Sequence, residues 1–402
     1  MKQLRLVIFN EPYWDKGLIY SQNILPLLQL KVSEGYKLSI ISFTSVVMLL
    51  LKRRVIKKCK AELKQKGIRV YDFPVLFYPT RFMYLRWALL PFYFLNVYFY
   101  IKYWALRDKK KENLIYSIRS YQAALGFCNF YPYPSRIVFD LRTDWIEENI
   151  NRGLFCRESR TVKYWMKKEK EMLLKFKKSL FISPVFKDNV LQRHHLLDDM
   201  RKFIVSYNPI DYNHFKVTNS IERHRDFLYT GSLGHWNNIE TYLKFFLAIH
   251  VFFPDSKLIV CTNSPQHKVN PSLNKVEYDE IRKKVEIHYN VSYDILPKYY
   301  ARCTYGLQIM NKRDSRVGVK FIEYIAAGIL PIVHVNVQGA AKLVEQFHIG
   351  VNISDEDFFN GYNLANRIRA AGTIDATANN YKLFQSFTDI NMIKNKMQEI
   401  YG

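Results

Sequence analysis

What this 402-residue chain lacks narrows its reading before any motif does. Its five cysteines (Cys59, Cys128, Cys156, Cys261, Cys303) form no C-x-x-C pair, and no histidine stands at metal-ligand spacing. A disulfide framework and a structural zinc site are therefore excluded, and the thiols read as buried or incidental ones of a reducing compartment. The start, MKQLRLVIFNEP, has only a short apolar run before Asn10 and Glu11. That pattern fits a first β-strand and not a signal peptide. No internal repeat or low-complexity tract is present. Acidic residues are scarce, 36 against 60 Lys and Arg, for a net charge of +24.

That excess is uneven. Residues 1–211 carry 38 basic and 18 acidic side chains, a net +20, while 212–402 carry 22 and 18, a net +4. Such asymmetry predicts that the first half faces a polyanion, either nucleic acid or an anionic membrane surface. The basic runs are not arranged as a helix-turn-helix or an RNP-like sheet, so no nucleic-acid partner is expected. Apolar content of 49% and aromatic content of 16% fill two cores, and the length suits two domains of about 200 residues each.

Residues 4–9 read as a buried strand, 10–17 as a loop ending at Gly17, 19–32 as a helix broken by Gly35, and 37–43 as the next strand. This succession predicts a right-handed β-α-β unit in a parallel sheet. Ligands of such sheets sit past the carboxyl ends of the strands, which makes the 10–17 loop a candidate lip of an active cleft. Residues 52–66 carry eight basic side chains and one acid. They fit a solvated amphipathic helix and equally a helix lying on anionic headgroups. The segment 81–111 is aromatic with basic flanks, but its uncharged run, 87–101, has only 15 residues and is interrupted by Pro91 and Asn96. That is short of a membrane span, and a fold helix with one edge touching the bilayer is expected.

The strands 113–118 and 136–141 follow, and the second ends in FDLRTDWIEENI. Asp140, Arg142, Asp144 and Glu147 are placed at a strand's carboxyl end, either as a structural Asp–Arg pair closing a turn or as ligands facing a cleft. A long basic helix is expected over 157–178, and His194 and His195 on the polar side of the next helix are expected to be solvated.

The most informative stretch is 311–333, NKRDSRVGVKFIEYIAAGILPIV. Its middle predicts a short helix with Phe321, Ile322 and Ile325 on one apolar face and Gly328 as the capping glycine. A polar loop, 312–318, leads in, and an apolar strand-like run, 329–335, leads out. A helix N-terminus entered from a polar loop offers unpaired N–H groups and the positive dipole end, so an anion is the expected ligand.

The run VGVKFIEYIAAG resembles the donor-site signature of retaining glycosyltransferases of family 4, enzymes of the GT-B fold. The variant with Lys320 three residues before Glu323 looks like one found among enzymes that build bacterial surface polysaccharides. By that resemblance Gly318 is the loop glycine, Glu323 the ribose ligand, and Ser315 stands where the family has a first Glu. The opening of the second half, FLYTGSLGHWNN, is similar to the family's "Y-x-G-x-L" turn. Ser232 replaces the Arg that grips the donor diphosphate, and His235 to Asn238 replace the Lys region. The strand ending in Asp-x-Arg and the "N-P-I-D" turn at 208–211 match further family sub-patterns, although Thr143 stands where a glycine is usual.

The resemblance implies an α/β fold of two Rossmann-like doubly wound domains facing each other across a cleft. Their expected bounds are 1–212, a linker at 213–226, 227–384, and a C-terminal helix, 385–402, crossing back to the first domain. The implied activity is transfer of a sugar, with retention, from a nucleotide-diphosphate sugar to a polyprenyl-diphosphate-linked or glycan acceptor in capsule, O-antigen or exopolysaccharide assembly. The implied setting is cytoplasmic, at the inner face of the membrane. Gly231, Ser232, Gly318, Val319 and Glu323 would bind the nucleotide; Lys320, Arg316, Ser315, Asp140 and Arg142 would serve the chemistry. No cofactor is expected, and no metal, since no Asp-x-Asp stands near the site. Because Ser315 and Ser232 replace charged residues, the alternative is a catalytically impaired nucleotide-binding subunit of the same fold.

Overall fold

The structure, a computed structural model, describes residues 2–14, 19–24, 26–28, 35–75, 90–210, 212–215, 223–234, 236–372, 385 and 390–402. Gly17 of the candidate lip, residues 81–89 of the aromatic segment, 216–222 of the expected linker, and His235 lie outside them. The chain divides into two units, Met1–Pro209 with Ile390–Gly402, and Ile210–Asp389.

In the first unit, the opening residues form β1 (Gln3–Phe9), buried at every position from Leu4 onward. A strand covered on both faces belongs inside a parallel sheet. β1 pairs in parallel with β2 (Lys37–Ser45), beyond which lies β3 (Arg69–Val75). On its other side come β4 (Leu114–Ile118), β5 (Ile137–Leu141), β6 (Lys178–Phe181) and β7 (Phe203–Val205), all parallel, in the order β3-β2-β1-β4-β5-β6-β7. The single charge inside β1, Arg5, would be costly if unpaired. It is met by Asp108 and by the Tyr116 hydroxyl, and its guanidinium lies 4.0 Å from the Trp104 ring centroid.

Helices α1 (Val46–Leu51), α2 (Arg53–Gln65), α3 (Leu90–Arg107), α4 (Tyr121–Phe130), α5 (Trp145–Asn151), α6 (Arg160–Lys175) and α7 (Pro184–His194) connect the strands. Ser120, Ser159 and Ser183 cap α4, α6 and α7 by accepting from the amide three residues on, as a Ser before an apolar periodic run predicts. One sheet face packs Val7, Ile41 and Phe139 against α3, α4 and α6. The other packs Leu6, Ile40 and Val138 against α2 and the C-terminal helix, Ile390–Tyr401. α3 buries Val97, Ile101 and Trp104, the last against Tyr71 and Phe73 of β3, and exposes Leu95, Phe99, Tyr103 and Leu106. Among the described residues no helix is long and apolar enough to cross a membrane.

The second unit is a six-stranded parallel sheet of β8 (His224–Thr230), β9 (Leu258–Thr262), β10 (Val285–Tyr289), β11 (Cys303–Gln308), β12 (Leu330–His334) and β13 (Val351–Ile353). Their order, β10-β9-β8-β11-β12-β13, is the Rossmann order 3-2-1-4-5-6. It is covered by α8 (Ile239–Ile249), α9 (Leu296–Arg302), α10 (Val319–Ala326), α11 (Gln338–Phe347) and α12 (Gly361–Gly372). The strand order reverses between β8 and β11, and the loops leaving those two strands flank this switch point, where open α/β sheets place their ligands. Gly306 of β11 is required here, since a Cβ on it would lie 2.5 Å from the Tyr324 ring of α10.

Candidate functional site

α10 is the short helix that the sequence predicts. Phe321, Ile322 and Ile325 are buried, and Gly328 takes the left-handed conformation (φ 67°) just past the last helical turn. The N-cap is Gly318, and no side chain caps it. The amides of Gly318, Val319 and Lys320 have no acceptor among the described residues. Gly318 lets the Gln308 side chain at the end of β11 come close, since a Cβ there would stand 2.1 Å from Gln308 Nε2 and would push that amide aside. The other side-chain atom of that amide, Gln308 Oε1, is buried without a partner among the described residues. The helix start is thus an open set of donors carrying the positive end of the helix dipole.

Two side chains of α10 complete it. Lys320 Nζ donates to Glu323 Oε2 at 2.9 Å, one turn along the same helix face. Glu323 is nearly fully buried, at 3% exposure, and its Oε2 also receives the Tyr300 hydroxyl at 2.6 Å. Tyr300, from α9, is fully buried, and its oxygen lies 2.8 Å from Thr230 Oγ1 at the end of β8. Burial, reinforced by the Glu323 carboxylate, pushes the Tyr300 phenol well above the usual tyrosine range. It therefore stays protonated and donates.

The loop after β8 meets the same place. Gly231 has φ 145°, and a Cβ on it would come within 3.0 Å of the Tyr229 hydroxyl and 3.9 Å of Lys320 Cε. The loop lies beside the lysine, and glycine is favoured here by the positive φ and by the close approach to the Tyr229 hydroxyl. Its N–H, however, is spent on the Cys261 carbonyl at 2.9 Å, so Gly231 contributes shape and not the expected donor. Leu233 donates to Ser264 Oγ and Gly234 to the Asn237 carbonyl. Of the amides expected to cradle an anion in this loop, that of Ser232 is the one with no acceptor among the described residues.

The expected counter-charge at Arg316 is a further difference. Its guanidinium is held by Asp314, with Nε 2.9 Å from both carboxylate oxygens and Nη2 2.6 Å from Oδ2. Although burial alone would raise the Asp314 carboxyl, Arg316 beside it holds it below the usual carboxylate range. The backbone explains the pairing: Asp314 is pinned to Asn336 and Gln338 at the start of α11, and the Arg316 amide also donates to its carboxylate at 2.9 Å. Gly339 lets this loop in, since a Cβ there would lie 2.5 Å from the Ser315 carbonyl. Ser315 itself is buried.

In the first unit, Asp140 and Arg142 do pair at the carboxyl end of β5, at 2.7 Å. Both are largely occupied within the first unit. Asp140 is 1% exposed, its second oxygen takes Asn23 Nδ2 at 2.8 Å, and Arg142 donates to Asn208 Oδ1 at 2.8 Å. Asp144 and Glu147 turn elsewhere. Asp144 caps α5 and receives Arg193 Nη1 on both oxygens at 3.0 and 2.9 Å. Burial, with the Glu169 charge added, pushes its carboxyl up to about 6 against the pull of Arg193. His194 corrects an expectation: it is buried, with Nε2 2.5 Å from the fully buried Glu169, while His195 caps α7. Glu169 holds Arg193, His194 and Tyr121 together and belongs to the packing of α4, α6 and α7.

The residues joined at the switch point of the second unit are thus Gly231, Ser232, Gly318, Val319, Lys320 and Glu323. Sequence reasoning missed Thr230, Tyr300 and Gln308. No local spacing marks them; Thr230 and Gln308 are the last residues of the two strands that flank the reversal, which is the one signal that points to them.

No family model matches the chain, and no curated protein matches it by sequence. Solved structures do. A glycosyltransferase from Rickettsia africae ESF-5 superposes with a TM-score of 0.69 at 14% identity, covering 100% of this chain and 97% of that one. Alr3699/HepE from Anabaena, solved in complex with UDP, gives 0.69 at 15% identity, covering 99% of each chain. WaaG, a glycosyltransferase involved in lipopolysaccharide biosynthesis, gives 0.58 at 12% identity, covering 99% and 96%. The expected fold class holds: this chain carries the two Rossmann-like units of the GT-B fold.

Proposed function

We propose that the chain is a glycosyltransferase that moves a sugar from a nucleoside-diphosphate sugar to an acceptor hydroxyl. The observation that carries this reading is the uncapped start of α10 at the Rossmann switch point, with Lys320 beside it and Glu323 one turn further on. The likeness to Alr3699/HepE, which binds UDP, supports the same ligand class. In the reaction the bond from the anomeric carbon to the diphosphate oxygen breaks and a bond to the acceptor oxygen forms. The acceptor proton leaves with the departing phosphate. Negative charge grows on that diphosphate, so catalysis needs oriented donors more than a nucleophile. The Ser232, Gly318 and Val319 amides and the Lys320 ammonium supply them, and no resident metal is required in this scheme. Glu323 accepts from the ribose hydroxyls. Retention of configuration rests on the resemblance of VGVKFIEYIAAG to family 4.

A thermal-shift panel of UDP, GDP, CDP and ADP tests the ligand class, and donor turnover tests the chemistry. One diphosphate should raise the melting temperature, and its sugar conjugate should be consumed. Binding without turnover would favour the impaired-subunit reading, which Ser315, Ser232 and the commitment of Arg316 to Asp314 motivate. No binding by any of the four would remove both readings.

The acceptor is proposed to be lipid-linked and presented at an anionic membrane surface, as in surface-polysaccharide assembly. α1, VVMLLL, buries none of its side chains and exposes Val47, Leu50 and Leu51, and the exposed Lys52, Arg53 and Arg54 follow directly. Apolar residues beside a basic cluster are what an interfacial helix presents. Flotation with phosphatidylglycerol vesicles should carry the chain up, the triple change of Lys52, Arg53 and Arg54 to Glu should leave it at the bottom, and a gel shift with DNA or RNA should be negative. Equal flotation of both forms would count against this surface.

A further inference from the structure

Glu323 presents two oxygens, and the second unit treats them differently. Oε2 receives both the Tyr300 hydroxyl at 2.6 Å and the Lys320 ammonium at 2.9 Å. Oε1 has no partner among the described residues, although the side chain is almost wholly buried. Tyr300 does not act alone. Its one proton goes to the carboxylate, which can only accept, so the 2.8 Å contact with Thr230 has the threonine hydroxyl donating to the phenol oxygen. A chain of Thr230 to Tyr300 to Glu323 therefore joins the end of β8 to the ligand face of α10. In a dry interior such chains polarise one another and hold each member in one orientation. The Tyr300 ring is itself fixed, 5.3 Å from Phe215 and 5.6 Å from Tyr324 between ring centroids. Gly231, the residue after Thr230, lies beside Lys320, its Cβ position being 3.9 Å from Lys320 Cε.

We infer that Tyr300 is a positioning residue for nucleotide recognition: by occupying Glu323 Oε2, together with Lys320, it holds the carboxylate so that Oε1 is the acceptor offered to the ribose hydroxyls. This rests on the proposed nucleotide reading of α10 and adds to it a residue that never touches the ligand. It also assigns a task to Lys320 before the donor arrives, as the second anchor of that oxygen. When the diphosphate draws the ammonium away, Tyr300 is the contact that remains on Oε2.

The test is a ligand-and-variant cycle by calorimetry, using UDP, GDP and ADP, each beside its 2′,3′-dideoxy form, with inorganic pyrophosphate as the ribose-free probe. In the unaltered chain the ribose form of the diphosphate that binds should be preferred about tenfold, the worth of one hydrogen bond to a charged group. Tyr300→Phe should shrink that preference to within about threefold, since a loosened carboxylate loses part of that bond, while leaving pyrophosphate binding unchanged. Thr230→Val should shrink it by less. A Tyr300→Phe variant that weakens the ribose and dideoxy forms equally would make the tyrosine merely structural and overturn the inference. So would an unchanged preference. Should the unaltered chain bind a nucleotide but not distinguish ribose from dideoxyribose, the ribose role of Glu323 itself falls, and the inference with it. If Tyr300→Phe does not fold, the double variant Tyr300→Phe with Thr230→Val, which leaves no orphaned hydroxyl, carries the same comparison.

Discussion

Replacing Glu323 by glutamine removes one charge and almost no volume, which makes it the sharpest perturbation of this site. An amide oxygen in the same place still accepts from Tyr300, so the buried hydroxyl keeps its partner. The Lys320 contact is weakened, but the lysine side chain is 32% exposed and such pairs contribute about 0–1 kcal/mol. The Oε1 position then carries the amide NH2, so a ribose hydroxyl exchanges a bond to a charged acceptor, worth about 1.5–3 kcal/mol, for one accepted from a neutral donor, worth about 0.5–1.5 kcal/mol. The difference is about 1.4 kcal/mol, or tenfold in Kd. Glu323→Ala goes further. Affinity falls by about 2 kcal/mol, roughly 30-fold, and the fully buried Tyr300 hydroxyl loses its acceptor at a cost of about 1–3 kcal/mol. Calorimetric titration with the binding diphosphate, beside scanning calorimetry, should therefore give a glutamine variant that binds weakly yet melts near the unaltered chain, and an alanine variant that does both badly. Lowered melting with unchanged affinity in both variants would refute the reasoning and leave Glu323 a structural acid.

Lys320→Ala should cut kcat by about 10²-fold or more, the usual loss on removing one donor from a developing charge, with a melting temperature within a few degrees; a large fall in stability at unchanged kcat would mark the lysine as structural. Gly306→Ala should destabilise the second unit by about 1–3 kcal/mol, because the new methyl overlaps the buried Tyr324 ring, and urea unfolding reads this directly. Glu286 supplies the pH dependence. Burial raises its carboxyl, but the hydrogen bonds from Lys257 and Arg302 outweigh that and lower it from 4.5 to about 2. A depressed carboxyl contributes stability above its unfolded pKa and loses it as pH falls through the folded one, here between about 4.5 and 2. Glu286→Gln should therefore cost about 1 kcal/mol at neutral pH, the scale of a partly exposed pair, with most of that difference gone by about pH 2; melting scans across that range check the convergence.

The parts of the molecule that were legible before the structure are those written locally. α10 follows from the spacing of Phe321, Ile322 and Ile325 and from Gly328, and β1 from the short apolar run before Asn10 and Glu11. β3 went unread because it is the edge strand of its sheet, half-buried over most of its length and carrying Pro74, so neither a continuous apolar run nor a clean alternation marks it. The differences at the site have the same origin. Asp140 lies at a strand end as expected, but its burial depends on Asn23, more than a hundred residues away. Arg316 reads as a free cation until the short pairing of Asp314 with Val337 brings a carboxylate under it. His194 reads as solvated until Glu169, on a different helix, closes over it. Tyr300 and Thr230 reach Glu323 only once α9 and β8 are packed beside α10. Periodicity places a helix; it does not say which distant acid or hydroxyl will meet its side chains.

A crystal structure of the chain with its nucleoside diphosphate bound is the most direct test of the whole account. The terminal phosphate should lie within hydrogen-bonding distance of the Val319 and Lys320 amides, and a ribose hydroxyl should lie on Glu323 Oε1. A diphosphate bound away from the start of α10, with the Lys320–Glu323 pair undisturbed and no ribose contact, would contradict it.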